Sequence, residues 1–282
     1  MELHLFQVPY DSGHFTERAG CGPDYFVKNG LAEFLQNAGH QVKLSRIQSQ
    51  ASFMTEIGTW YELNRLLAGE INTLPAGSFP IVLSGNCNSS VGTLAGINRD
   101  EIGVIWFDAH GDFNTPETTL SGFLDGMGLA MVTGRCWQAL LQQIPGYRRV
   151  PDCNVIHVGG IDLDPAEMKM FKDAGIPLVT NNPRFENALL TSLEIALNEL
   201  CKKVKSVYIH LDLDVLETGS VLTKANQFAK PGGLSVDLAV NCLRLIRTKF
   251  EIAACGIASV DPGFDRDQTV LKAGFKLLEA II

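Results

Sequence analysis

The chain has 282 residues, 46% hydrophobic and 19% charged, and its 31 acidic against 23 basic side chains leave a net charge of -8. That length and apolar content exclude disorder and provide a substantial core, while the acidic balance excludes a nucleic-acid partner, whose phosphates demand clustered Lys and Arg. No run of about 18 apolar residues is available for a membrane span, and "MELHLFQVPYDSGH" lacks the basic and apolar regions of a signal peptide.

In chain order, short apolar runs rich in β-branched residues predict strands at Leu3 to Val8, Val42 to Ile47, Ile81 to Leu83, Val104 to Phe107, Val155 to Val158, Leu178 to Thr180, Val207 to Leu213 and Ala253 to Val260. Segments of helical period separate most of them: Pro23 to Ala38, Thr55 to Ala68, Pro165 to Ala174, Glu186 to Cys201 and Val236 to Lys249. The alternation predicts a parallel sheet covered by helices on both faces. No linker, charge block or repeat marks a boundary, so a single domain over residues 1–282 is expected. Seven cysteines without a CxxC pair point to reduced thiols rather than a disulfide framework or zinc knuckle. A cytoplasmic location is expected.

In parallel sheets, ligand groups collect just after the strands' carboxyl ends, and four such places stand out. "VLSGNCNSSVGT" (Val82 to Thr93) is a strand, a polar turn and a helix; Cys87 there has core packing as its ordinary alternative. "WFDAHGDFN" sets Asp108, His110 and Asp112 at alternate positions, which point the same way in extended geometry. "VGGIDLDP" carries Asp162 and Asp164, the latter also placed to be a helix N-cap before Pro165. "YIHLDLDVLE" ends a strand in Asp212 and Asp214. Two carboxylates buried on one strand end repel each other unless a cation separates them. Four carboxylates and an imidazole make a hard, oxygen-rich set that suits Mn²⁺, including a pair of ions with bridging carboxylates.

With "DAHGDFN", "HLDLD" in the place of Ser-x-Asp-x-Asp, "GGLS" (Gly232 to Ser235), "VPYDSG" and "GCGPDYFVKNGL", the chain resembles the arginase/agmatinase/formimidoylglutamase (ureohydrolase) superfamily over nearly its whole length. The resemblance implies a three-layer α/β/α fold with an eight-stranded parallel sheet and a binuclear Mn²⁺ centre whose bridging hydroxide attacks a guanidino or amidino carbon. It implies Asp108 and Asp212 as bridging ligands, His110 and Asp214 on one metal, and Asp112 and Cys87 on the other. It places Asn114, Ser121 and Asp164 at an amino-acid substrate's carboxylate and amino groups, and homo-oligomers, trimers or hexamers, are common among such proteins.

The departures from the family's pattern bear on activity. Cys87 stands where the family has a histidine ligand, and thiolate suits Mn²⁺ less well, favouring a weaker first site or another divalent metal. Asp125 replaces a proton-shuttling histidine and is expected to relay protons as a catalytic residue. Ser259 replaces a glutamate that grips the guanidinium, which favours a less basic substrate such as Nω-hydroxy-L-arginine. His210 replaces the family's serine and is expected beside the metals in a catalytic role. Formimidoylglutamate, arginine and agmatine are the alternative substrates, and a catalytically silent binding or regulatory relative is the alternative of another class.

Overall fold

The computed structural model describes residues 1–50, 55–181, 188–217 and 224–282. Its centre is an eight-stranded, all-parallel sheet: β1 (Glu2–Val8), β2 (Gln41–Arg46), β3 (Phe79–Ser84), β4 (Ile102–His110), β5 (Val155–Asp162), β6 (Leu178–Val179), β7 (Ser206–Asp212) and β8 (Glu251–Ala258). Their spatial order is β2-β1-β3-β8-β7-β4-β5-β6. Each of the eight strand expectations falls on one of them.

Because side chains alternate across the sheet, each central strand feeds two cores. Ile105, Phe107, Ile209 and Leu211 point into one core, which is closed by α1 (Gly22–Lys28), α2 (Leu31–Asn37), α8 (Ala188–Leu200), α9 (Val236–Arg247) and α10 (Thr269–Ile281). Val104, Trp106 and Tyr208 point into the other, under α3 (Glu56–Asn72), α4 (Ser90–Ile97), α5 (Gly128–Val132), α6 (Gln138–Leu141) and α7 (Pro165–Ala174). Burial on both faces is why these strands read as continuous apolar runs rather than alternating ones.

Helix ends follow local chemistry. Asp164 caps α7, Pro165 fills its first turn, and Gly175 ends it in the left-handed region at φ 65°. The single helix expected over Pro23 to Ala38 is instead two. Asn29 closes α1, and Gly30, at φ 93°, turns the chain before α2 begins, a conformation that glycine alone adopts readily. Of the helix expected over Glu186 to Cys201, the first two residues lie outside the described residues, and α8 is described over Ala188–Leu200. No helix among the described residues is long and apolar enough to cross a membrane.

The strand order decides where the site lies. β3, β8, β7 and β4 are consecutive neighbours, so the residues leaving their carboxyl ends (Cys87, Ser259, Asp212 with Asp214, and Asp108 with His110) converge on one spot. Register fixes the match: Ala258 lies beside Asp212, Trp106 beside His210 and Asp108 beside Gly159.

Candidate metal centre and active site

A cleft of about 410 Å³ opens at this end of the sheet. Its floor carries Cys87, His110, Asp112, Asp125, Asp212, Asp214 and Ser259; Asn114 and Asp164 stand on one wall, Asp11 and Arg18 on another. Asp108 lies just beneath, 1% exposed.

Asp108 Oδ1 accepts the backbone N–H of His110 at 2.8 Å, and its Oδ2 accepts the Trp106 indole N–H at 3.1 Å. His110 Nδ1 lies 3.4 Å from Asp108 Oδ1 and 3.3 Å from Asp214 Oδ2. Asp214 is held by the Ala109 N–H at 3.3 Å and by Asn226 Nδ2 at 3.2 Å. Asp212 Oδ1 accepts the Asp214 N–H at 2.9 Å, leaving Oδ2 to accept the Cys87 thiol at 3.0 Å. Ser259 Oγ is 3.3 Å from that sulfur.

Asp112 reaches the cluster by a route that spacing alone does not describe. β4 ends at His110 after an irregularity opposite Gly159, and Asp112 sits at φ 49°, outside extended geometry. The turn is anchored by the Asp112 carbonyl, which accepts the N–H groups of Leu129 and Ala130 at 2.9 and 3.1 Å. Gly159 is required here, since a Cβ on it would meet the Asp108 carbonyl at 2.2 Å.

The electrostatics are those of a cage of carboxylates. Burial, then the charge of Asp214, pushes Asp212 well above the ordinary carboxylate range. Asp112 rises likewise through burial and Asp108, and Cys87 through burial and Asp212. Burial opposes charging His110, but Asp214 and Asp108 overcome it and raise its pKa. Burial also works against ionised Asp214, and the charge and hydrogen bond of His110 nevertheless lower it. Asp112 Oδ2 is buried with no hydrogen-bond partner. Four buried carboxylates, an imidazole and an orphaned carboxylate oxygen are the donor set that a divalent cation satisfies. Ligand atoms of Asp108, His110 and Asp214 lie within 4.8 Å of one another, as do those of Cys87, Asp108 and His210.

Asp125 is a different carboxylate. Asn86 Nδ2 and the Asn88 N–H donate to it at 2.8 and 3.1 Å, yet burial prevails and its pKa rises to about 8. It therefore holds a proton at neutral pH. Asn86 is positioned by the Ser12 N–H at 2.8 Å, and the turn before it packs so closely that a Cβ on Gly85 would lie 2.2 Å from the Tyr10 carbonyl.

On the cleft wall Asn114 Nδ2 donates to Asp164 Oδ2 at 3.2 Å, so these two sequence-predicted residues act as a pair. Ser121 stands apart: it is exposed, does not line the cleft, and its Oγ accepts the Phe123 N–H at 3.2 Å. His210 does not line the cleft either; it lies under the floor, 1% exposed. Residues the sequence reading passed over include Asn226, which ties Asp214 to the Ser259 carbonyl at 2.9 Å, and Asn86. Phe123 and Phe228, ring centroids 5.5 Å apart, also line the cleft. Asn86 lay inside a motif already singled out; nothing periodic surrounds Asn226.

The chain matches the Arginase family over residues 1–282. It is 31% identical to the arginase of Bacillus caldovelox over 229 residues, 76% of each chain. It is 28% identical to that of Bacillus subtilis (strain 168) over 291 residues, 99% of this chain and 97% of the other. The crystal structure of arginase from Bacillus subtilis matches with a TM-score of 0.89 at 27% identity, covering 100% and 98% of the two chains. The formimidoylglutamase of the same organism, at 18% identity and a TM-score of 0.77, shares the fold. The chain belongs to the arginase family and is a hydrolase of the ureohydrolase class.

Proposed function

We propose that this protein is a divalent-metal-dependent hydrolase that cleaves a C–N bond of a guanidine or amidine on an amino-acid-like substrate, with Nω-hydroxy-L-arginine or a related modified guanidine preferred to arginine. Asp108, His110, Asp112, Asp212, Asp214 and Cys87 would hold two ions, Mn²⁺ in the oxygen-rich position. Bound there, divalent ions supply Lewis acidity and a water acidic enough to act as a nucleophile near neutral pH.

The chain's own residues supply the rest. Asn114 and Asp164 on the cleft wall bind the substrate's amino-acid head, Asp164 by pairing its charge with the α-ammonium group. Asp125, whose buried carboxyl favours the protonated form in the metal-free chain, holds a proton for the departing nitrogen. Phe123 and Phe228 restrict water over the reacting group. One observation carries the substrate preference: the group at the end of β8, 3.3 Å from Cys87, is the neutral hydroxyl of Ser259. A hydroxyl pairs with a weakly basic hydroxyguanidine without requiring a full positive charge. Cys87 supports a second reading, a catalytically silent relative, because a thiol with a raised pKa gives up its proton less readily to a hard cation.

The test offers the metal-loaded protein Nω-hydroxy-L-arginine, L-arginine, agmatine and formimidoyl-L-glutamate and follows the products. With the first, water adds across the C–N bond to give ornithine and hydroxyurea, and kcat/KM should exceed that for arginine by about ten-fold or more. Preference for arginine or for a substrate without an amino-acid head overturns the specificity. Turnover of none by a protein that does bind metal supports the silent reading.

A further inference from the structure

One buried imidazole has no place in the chemistry above. The His210 ring stacks on Trp106 with centroids 3.8 Å apart, and its Nδ1 lies 3.0 Å from Ser90 Oγ. Its Nε2 is buried without a hydrogen-bond partner.

Two hydroxyls meet the Nδ1 side of the ring, Ser90 Oγ and, at 3.5 Å, Tyr208. Ser90 has a single hydroxyl proton and donates it to the Cys87 carbonyl at 2.8 Å. With that proton used, Ser90 Oγ is an acceptor toward the Tyr208 hydroxyl at 2.9 Å and toward His210 Nδ1, an arrangement that puts the ring proton on Nδ1. Nε2 is left with a bare lone pair, in a place where no group donates to it. A ring nitrogen of His210, the Cys87 sulfur and an Asp108 carboxylate oxygen all lie within 4.8 Å of one another. Bonds of about 2.0–2.3 Å from a tetrahedral ion would set such donors about 3.3–3.8 Å apart, a small side-chain adjustment away.

We propose that His210 is itself a metal ligand, through Nε2, of an ion held jointly with Cys87 Sγ and Asp108, and that this sulfur-nitrogen-oxygen set selects Zn²⁺ over Mn²⁺. The proposal rests on the metal-centre reading of the cleft and assigns His210 to coordination rather than to catalysis. The supporting groups are those a bound imidazole needs. Ser90 takes the N–H of the ring, as hydroxyls, carbonyls and carboxylates do around metal-bound histidines. Trp106 stacks on His210 and donates to Asp108 Oδ2 at 3.1 Å, so one indole orients two of the three donors. When the ion binds, the Cys87 S–H bond breaks, an S–metal bond forms and the proton leaves to solvent, with no change of oxidation state. The neighbouring set of Asp108, His110 and Asp214 contains no sulfur and keeps its preference for a harder ion. The centre would then be mixed, Zn²⁺ beside Mn²⁺.

Cobalt(II) added to the metal-stripped full chain tests this without reference to activity. Filling the site should produce a thiolate-to-cobalt charge-transfer band that Cys87→Ser abolishes, and Zn²⁺ but not equimolar Mn²⁺ should displace the cobalt responsible. The proton NMR spectrum of the cobalt-loaded wild-type chain should contain two strongly shifted, exchangeable imidazole N–H signals, from His110 and His210. In His210→Gln one signal should remain and the affinity of the sulfur-bearing site should fall by more than about 100-fold, beyond the roughly 10–100-fold that losing an orienting partner costs. Ser90→Ala should fall within that lower range. A charge-transfer band with only one shifted N–H in the wild type overturns the proposal, even if the glutamine variant does not fold, as does displacement by Mn²⁺. Absence of the band and of both signals overturns the metal-centre reading itself.

Discussion

Replacing Asp212 with asparagine should change the protein's stability in opposite directions with and without metal. In the metal-free chain Asp212 is 4% exposed and surrounded by Asp214 and Asp108, so its charge is opposed by burial and by its neighbours. Asparagine removes that charge, keeps an oxygen to accept the Asp214 N–H now at 2.9 Å, and gives up the weak bond from the Cys87 thiol and the hydrogen bond with the Ser259 hydroxyl. The metal-free melting temperature should rise. With metal at about 1,000 times its dissociation constant, the wild type gains about 4.1 kcal/mol. If losing the ligand weakens binding about 100-fold, the same metal concentration gives the variant only about 1.4 kcal/mol. The difference of about 2.7 kcal/mol corresponds to about 5–10 °C, at roughly 2–4 °C per kcal/mol for chains approaching this size. Calorimetry of both proteins, stripped and reloaded, reads the two signs directly. A metal-free variant that melts lower than wild type, or a metal-induced rise equal to wild type's, would refute the reasoning.

Three further outcomes follow from the same geometry. Asp125 has a folded-state pKa of about 8 against an ordinary 3.8, so folding favours its protonated form; stability is unaffected below the lower value, falls as pH rises between the two, and levels off above the upper one. Infrared difference spectra of the metal-free protein should show, beside the carboxylic-acid components of Asp112 and Asp212, a further one at pH 6 that fades above about 8, and Asp125→Asn should remove that component and that part of the pH slope. Asp164→Asn retains an N-cap for α7 but loses the charge that the proposed function assigns to the substrate's amino group; it should raise KM by about ten-fold or more while the melting temperature stays within about 2 °C. Gly85→Ala should destabilise by about 2–4 kcal/mol in urea unfolding, because its Cβ would sit 2.2 Å from the Tyr10 carbonyl.

What was legible in the sequence was whatever short-range pattern controls. The eight strands could be read because parallel strands buried on both faces are continuous apolar runs, and β7 and β4 carry their acidic and imidazole groups within a few residues of their ends. The break between α1 and α2 was missed because apolar spacing continues on both sides of Gly30, whose φ of 93° is a property of the backbone rather than of the pattern. Alternation explains Asp108 and His110 but not Asp112, which depends on a left-handed turn held by Leu129 and Ala130. The environment of His210 was invisible for a different reason: Trp106, Ser90 and Cys87 come from β4, α4 and the turn before α4, and only strand order and register bring them to β7. Asn114 and Asp164 were singled out individually as expected substrate contacts, whereas their mutual hydrogen bond is a product of the packing of α7 against the loop after β4.

The central claim, that these acidic strand ends and Cys87 form a two-ion centre, is tested most directly by anomalous diffraction at the manganese and zinc edges from crystals grown with both metals. The account predicts two peaks in the cleft floor, one bonded by Asp108, His110 and Asp214 and the other within bonding distance of the Cys87 sulfur. A cleft with no anomalous peak, or a single ion with the Cys87 thiol still directed at Asp212, would contradict it.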